Sequence, residues 1–206
     1  MLQVRLIDTA IDQFGRRGFD GASTREIARA SGTAMSSITY HFGGKEGLYL
    51  ACADHIAGKL RERHAGALEL LQDTSGLDRD AAIVRSLGLI DIFAQTMLDP
   101  ESEDWARFIM REQQAPTEAF ERLYHGAMKA MIEGFGALLG RIRPDLPDIE
   151  LRALTMLIFG QTLVLRAARA SVCKALGTDT LGEKEAALLR SQIRNNAIAI
   201  LKGGTQ

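Results

Sequence analysis

Proline and aromatic residues are scarce, with 4 prolines in 206 residues and Phe, Trp and Tyr together at 6%. Few helix breakers and few bulky rings, in a chain rich in Ala, Leu and Arg, favour helix over sheet, because unbranched side chains lose little rotamer freedom in a helix. No stretch alternates apolar and polar residues with the period of two that a half-buried strand needs. Cysteine is nearly absent. Cys52 and Cys173 lie far apart with no Cys or His at metal-ligand spacing, so neither a disulfide framework nor a zinc site is expected and a reducing cytoplasm fits. The opening MLQVRLIDTAIDQF interleaves charge with apolar positions and lacks the apolar core of a signal peptide. The uncharged, largely apolar run 153–165 has 13 residues, short of the roughly 20 that span a bilayer. No membrane partner is expected. Internal repeats, low-complexity tracts and flexible linkers are missing too.

What is present is ordinary globular composition, 46% hydrophobic and 25% charged, in a length that suits one large domain or two modest ones. Leu6, Ile7, Ala10, Ile11 and Phe14 repeat at three and four, predicting a one-sided first helix that stops before Gly15 and Gly18. Two very short helices follow. Long ones then cover 45–72, 78–97, 101–114, 117–143, 149–174 and 184–201, giving an all-α chain of about nine helices. Asp99-Pro100, Ala115-Pro116 and the pair Pro144 and Pro147 supply the breaks, since each proline removes a donor and pushes the preceding residue out of the α region. The segment GTDTLG at 177–182 reads as a loop, and Gly203-Gly204 as the end of the last helix.

The formal net charge is −1. It hides an asymmetry: between Gly15 and Lys45, Arg16, Arg17, Arg25, Arg29 and Lys45 face only Asp20 and Glu26, giving +3. An anionic partner is expected for this part alone.

The same stretch carries the informative pattern. Ser23-Thr24-Arg25-Glu26 matches a capping box, which starts a helix at Thr24. Ser31-Gly32-Thr33 reads as a turn in which Gly adopts positive φ, and a second short helix runs from about Ala34 to Tyr40. Two short helices joined by a tight turn, braced by a preceding helix, is the helix-turn-helix plan, whose second helix enters the major groove. Only Ile38 in AMSSITYH is a good core anchor. Ala34, Met35, Ser36, Ser37, Thr39 and Tyr40 are left to face DNA, with hydroxyls that pair with either base type and apolar groups that touch a thymine methyl. The competing reading is a solvated polar turn.

TREIARASGTAMSSITYHFGGKEGLYLA, with the preceding AIDQFGRRGFDGAS, resembles the DNA-binding domain of the TetR family of bacterial regulators over about Leu6 to Ala51. The carriers are Ile27-Ala28, Gly32 and the block Tyr40-His41-Phe42-Gly43-Gly44-Lys45-Glu46-Gly47-Leu48. Departures are Thr33 for a common Val, Ala34 for a common Ser, and Thr39 where the family usually has a phosphate-binding Tyr. The resemblance implies that Thr24 and Arg25 meet backbone or an adjacent base, and that Lys45, with the free amides of its helix N-terminus, clamps a phosphate. It gives His41 a phosphate contact as well, against the alternative of a ring packed under the first helix. The segment RFIMREQQAPTEAF resembles the REQ-x-x-P-S/T run of the CecR branch. The family plan implies a DNA-binding domain over 1–48, and a ligand-binding and dimerisation domain over 49–206.

In that second domain an effector site is expected from Trp105, Phe108, Arg111, Glu112, Met128, Met131, Phe135 and Gln161, an apolar wall with one cation and an amide. Arg111 and Glu112 could instead form a structural ion pair. The last two long helices are expected to build a homodimer, because ALTMLIFGQTLVL is apolar nearly all round and Ala186, Leu189, Ile193, Ala197 and Ile200 add a stripe.

Other motifs dissolve on inspection. Gly134, Gly136 and Gly140 have the wrong spacing for a dinucleotide fingerprint, and Gly44-Lys45 lacks the rest of a phosphate loop. No catalytic motif, metal site or cofactor is expected, and His55, His64 and His125 read as solvated single residues. The expectation is a cytoplasmic, nucleoid-associated repressor with a double-stranded operator and an unidentified small-molecule effector. The competing class is an all-α ligand carrier or enzyme without DNA binding.

Overall fold

Apolar positions that recur at three and four become helices, and the prolines end them where expected. The computed structural model describes residues 2–72 and 74–203 and is all-α, with no strand among the described residues. In order, the helices are α1 (Leu2–Gly21), α2 (Thr24–Ser31), α3 (Met35–Phe42), α4 (Lys45–Arg63), α5 (Ala65–Leu71), α6 (Arg79–Leu98), α7 (Glu103–Gln114), α8 (Glu118–Leu123), α9 (Lys129–Ile142), α10 (Asp148–Ala167), α11 (Arg169–Leu176) and α12 (Glu183–Lys202). A 3-10 turn, Pro100–Ser102, precedes α7, and a π-helical turn, Tyr124–Met128, joins α8 to α9.

The chain packs as two units, Met1–Arg63 with Glu101–Lys129, and His64–Pro100 with Ala130–Gln206. In the first, α1 lies against α4 and α7, and α8 against α4. Leu6, Phe14, Ile27, Ile38, Leu48, Ile56 and Phe108 form its core. In the second, α6 packs against α10 and α12, around Leu89, Ile90, Phe135, Leu138 and Ile158. Arg79, at the start of α6, donates to the carbonyls of Ile142 and Leu201, both 3.2 Å away. It thereby satisfies carbonyls at the C-terminal ends of α9 and α12. By length and composition α6 could cross a membrane, but Ala82, Ile83, Leu87, Leu89 and Ile90 bury its inner face in this core.

Three of the long helices expected from sequence are each divided. Helix 45–72 breaks at His64 (φ −100°, ψ 14°). The His64 ring is buried rather than solvated, with Nε2 3.1 Å from Thr96 Oγ1 and its centroid 5.1 Å from that of Phe93. Helix 149–174 breaks at Ala168 (φ −117°, ψ 29°), and α11 leaves at 79° to α10. Helix 117–143 is interrupted by the π turn, where a Cβ on Gly126 would stand 2.8 Å from Ala57 Cβ. Close approach of that turn to α4 explains the glycine. Gly134 is likewise a packing residue, since a Cβ there would meet Leu71 Cβ at 2.9 Å. Helix α12 ends at Lys202 before Gly203; Gly204 lies outside the described residues.

Candidate nucleic-acid interface

Helix α1 runs past Gly15 and bends at Gly18 (φ 75°, ψ 174°), a conformation that favours glycine. Helix α2 starts at Thr24, but not through a capping box: the Ser23 side chain makes no cap bond, and Glu26 pairs with Arg17 instead of reaching back. The turn behind α2 is as its sequence suggests, with Gly32 at φ 70° and its N–H directed at carbonyls of the last turn. Buried Ser31 ties this corner together, its hydroxyl 2.9 Å from Ile27 O, 3.0 Å from Ala28 O and 3.2 Å from Thr33 Oγ1.

Helix α3 has a single buried anchor, Ile38 at 1% exposure. Around it the surface is open. Tyr40 is 85% exposed and Met35 53%; Ala34, Ser36 and Thr39 are exposed, and Ser37 is half-buried. Arg25 is exposed and Thr24 half-buried at the start of α2. His41 is exposed rather than packed under α1; its Nδ1 lies 3.1 Å from Gln3 Nε2, and its ring meets that of Tyr40 edge-on at 4.9 Å. Gly43 (φ 73°) and Gly44 (φ 126°) make the turn into α4. There the Lys45 ammonium donates to Asp20 O at 3.3 Å and sits 4.8 Å from the centre of the Phe19 ring. Hydroxyls, a phenol and a thioether are thus exposed on a helix whose one buried residue is Ile38, with Phe42 packed half-buried against the same core.

The residues expected to form an effector site are divided between the two packing units. Trp105, Phe108, Arg111, Glu112 and Met128 belong to the first, and Met131, Phe135 and Gln161 to the second. Trp105 and Phe108 are buried in the first core with Met128 packed against it, while Met131 and Phe135 are buried in the second. Gln161 Oε1 is buried without a hydrogen-bond partner.

Arg111 and Glu112 do not pair with each other. Consecutive residues point about 100° apart around a helix, and each has its own target. Arg111 donates to Gly15 O and Arg16 O, both at 2.7 Å. The buried Glu112 carboxylate accepts from the Tyr49 hydroxyl at 2.6 Å, from Thr117 N at 3.1 Å and from Thr117 Oγ1 at 2.8 Å. Burial first, and the bond to Glu112 second, push the Tyr49 phenol well above its ordinary range. These two residues line a cavity of about 530 Å³ with Arg17, Phe19, Glu46 and Tyr49. Sequence reasoning missed this set, because the partners lie 63 and 96 residues apart and only the REQ-x-x-P-T spacing hinted at a joint role.

The sequence matches the family model of bacterial regulatory proteins of the tetR family over residues 6–52. It also matches that of the C-terminal domain of the HTH-type transcriptional dual regulator CecR over residues 82–204. Over 206 residues the chain is 29% identical to the HTH-type transcriptional dual regulator CecR of Shigella flexneri, covering 98% of this chain and 92% of that protein. A TetR-like transcriptional regulator from Rhodococcus sp. RHA1 has the same fold, with TM-score 0.64, 18% identity, and 98% and 96% of the two chains covered. So has the transcriptional regulator FadR of Bacillus subtilis, solved in complex with stearoyl-CoA, with TM-score 0.61, 15% identity, and 98% and 99% covered.

Proposed function

Because the chain belongs to the TetR family of bacterial regulators, with the C-terminal domain of the CecR type, we propose that it is a ligand-responsive repressor. It binds a pseudo-palindromic operator as a homodimer and leaves it when a small molecule binds. The observation that carries this reading is α3, whose one buried residue is Ile38, with Phe42 packed half-buried at its end, and which presents Met35, Ser36, Thr39 and Tyr40 to solvent. A buried anchor fixes the helix while its other residues stay free to meet base edges. Met35, Ser36, Ser37, Thr39 and Tyr40, with Ala34, read bases. Thr24 and Arg25 meet the backbone or an adjacent base, and His41 and Lys45 meet phosphates. Function then resides in the cytoplasm, where the DNA is, and requires no chemistry from the protein.

Dimerisation is supported by α10. Its Ile149, Ala153, Met156, Leu157, Gly160 and Val164 follow helical spacing and are all exposed, an apolar stripe that a second copy of the chain would cover. The stripe expected on α12 is spent inside its own unit, where Ile193 and Ala197 are buried and Leu189 and Ile200 pack against the core. Exposed Ala187, Leu188 and Ala199 are the apolar residues that α12 offers a partner.

The effector belongs in the second unit, near Met131, Phe135 and Gln161. Gln161 Oε1 on α10 and Ser86 Oγ on α6 are both buried without a hydrogen-bond partner, and α6 packs on α10. An effector with donor groups would satisfy such atoms, which otherwise cost free energy. The test is titration of the protein onto a DNA fragment from beside its own gene, then of candidate effectors onto the complex. Binding no tighter than to unrelated DNA would end the reading.

A further inference from the structure

The helix-turn-helix residues matched by the family model end at residue 52, yet the compact unit containing them also takes in Glu101–Lys129. We infer that Arg111 and Glu112 of α7 form a clasp that positions the DNA-binding helices for a two-site operator, so that the working DNA-binding unit is discontinuous in sequence. The inference rests on the repressor reading and goes beyond it, because neither residue touches DNA in that reading.

The Arg111 half follows from the bend in α1. With Gly18 in a left-handed conformation, the helical amides that would serve the carbonyls just before it are turned away. Arg111 supplies the missing donors, one to Gly15 O and one to Arg16 O. A planar guanidinium can reach two carbonyls at once, which an ammonium cannot do with the same geometry. Gly18 leaves room for it: a Cβ there would stand 3.2 Å from Arg111 Nη1. Beyond the bend, Phe19 and Asp20 hold Lys45, and the chain turns into α2. The end of α1 that leads to the recognition helices is thus fixed from α7.

The Glu112 half holds α4. Its carboxylate binds the Tyr49 hydroxyl on one side and Thr117, the N-cap of α8, on the other. The Tyr49 ring lies among Phe14, Phe19 and Phe108, with centroids 4.9, 5.1 and 4.6 Å away, so it carries the tether into the head's aromatic core. Adjacent residues of one helix therefore grip α1 and α4 separately. The grip matters because Glu101–Lys129 is bounded by two of the three points, at 100/101 and 129/130, where the chain passes between its packing units.

The clasp predicts a split between half-site and full-site binding. Each head alone needs only its own α2, α3 and Lys45, whereas two heads must meet successive major grooves together. The experiment compares wild type, Arg111→Gln, Arg111→Lys and Tyr49→Phe on a full operator duplex and on a half-site duplex, with thermal unfolding of each protein. Arg111 is exposed and Tyr49→Phe removes only a hydroxyl, so the folded proteins survive for assay. The expected result is full-operator binding weakened roughly 5- to 150-fold, unchanged half-site binding, and Arg111→Lys no better than Arg111→Gln. Parallel weakening on both duplexes would reduce the clasp to ordinary structural support and overturn the inference. So would no change on either duplex while wild type binds the operator. If wild type itself does not prefer the operator, the repressor reading falls and takes the clasp with it.

Discussion

Ile38 and Tyr40, two residues apart on α3, have opposite environments: the first is 1% exposed and the second 85%. Their substitutions should separate stability from recognition. Ile38→Ala is expected to cost about 2 to 5 kcal/mol in unfolding free energy, read by urea denaturation. Tyr40→Ala should stay within about 0.5 kcal/mol of wild type, while changing which base is preferred at one operator position by about 1 to 3 kcal/mol. A Tyr40 variant that loses affinity equally for every sequence would place its ring on the backbone instead.

Lys45 should behave in the opposite way. Its ammonium lies at the start of α4, over Phe19 and beside Asp20 O, and the proposed role gives it a phosphate contact and no base contact. Lys45→Ala is expected to weaken operator and unrelated DNA by the same factor and to lower the salt slope of binding by about 1. A change in sequence preference would contradict this.

Asp91 and Arg190 join α6 to α12 by two parallel bonds, Nε to Oδ1 at 2.7 Å and Nη2 to Oδ2 at 2.6 Å. The bond from Arg190, above all, holds the Asp91 carboxyl below its usual range. A folded-state value below the unfolded one means that the stabilisation is fully present above about pH 4. It is lost as pH falls through the folded value. Because both side chains are about one-third exposed, the loss on Asp91→Asn should be only about 0.5 to 1 kcal/mol near neutral pH. Thermal unfolding of wild type and variant should converge in acid; a gap that persists to pH 2 would show another cause.

Leu157 sits 70% exposed in the apolar stripe of α10. Light scattering should give wild type twice the 22.5 kDa chain mass, and Leu157→Glu should move the population toward monomer, since a charge in an apolar interface must be desolvated without a partner. A wild-type monomer at micromolar concentration would contradict the homodimer.

The helix class, the limits of α2 and the turn at Gly32 were legible because local chemistry sets them: Gly at a positive φ, prolines behind α6 and α7, and a single buried anchor on α3. Breaks set by tertiary contacts were not. His64 and Ala168 are neither Gly nor Pro, and His64 leaves the helix where its ring meets Thr96 and Phe93. Glu26 had a capping pattern, but Arg17, nine residues away, takes its carboxylate. The α12 stripe was visible as apolar spacing, which does not distinguish a partner chain from the chain's own core. For the candidate interface, exposure on α3 could be read from residue type. The grip of Arg111 and Glu112 could not, since adjacent opposite charges look like a pair until their directions are known.

The central claim, that α3 and its flanking cations read DNA, is tested most directly by one titration. Fluorescence anisotropy would follow the protein binding to a labelled duplex from beside its own gene, and to an unrelated duplex of equal length, across a series of salt concentrations. The account predicts that log affinity falls linearly with log salt on both duplexes. It also predicts that the first is bound at least about 10³-fold more tightly at physiological salt. Equal affinity for the two duplexes, or binding insensitive to salt, would contradict it.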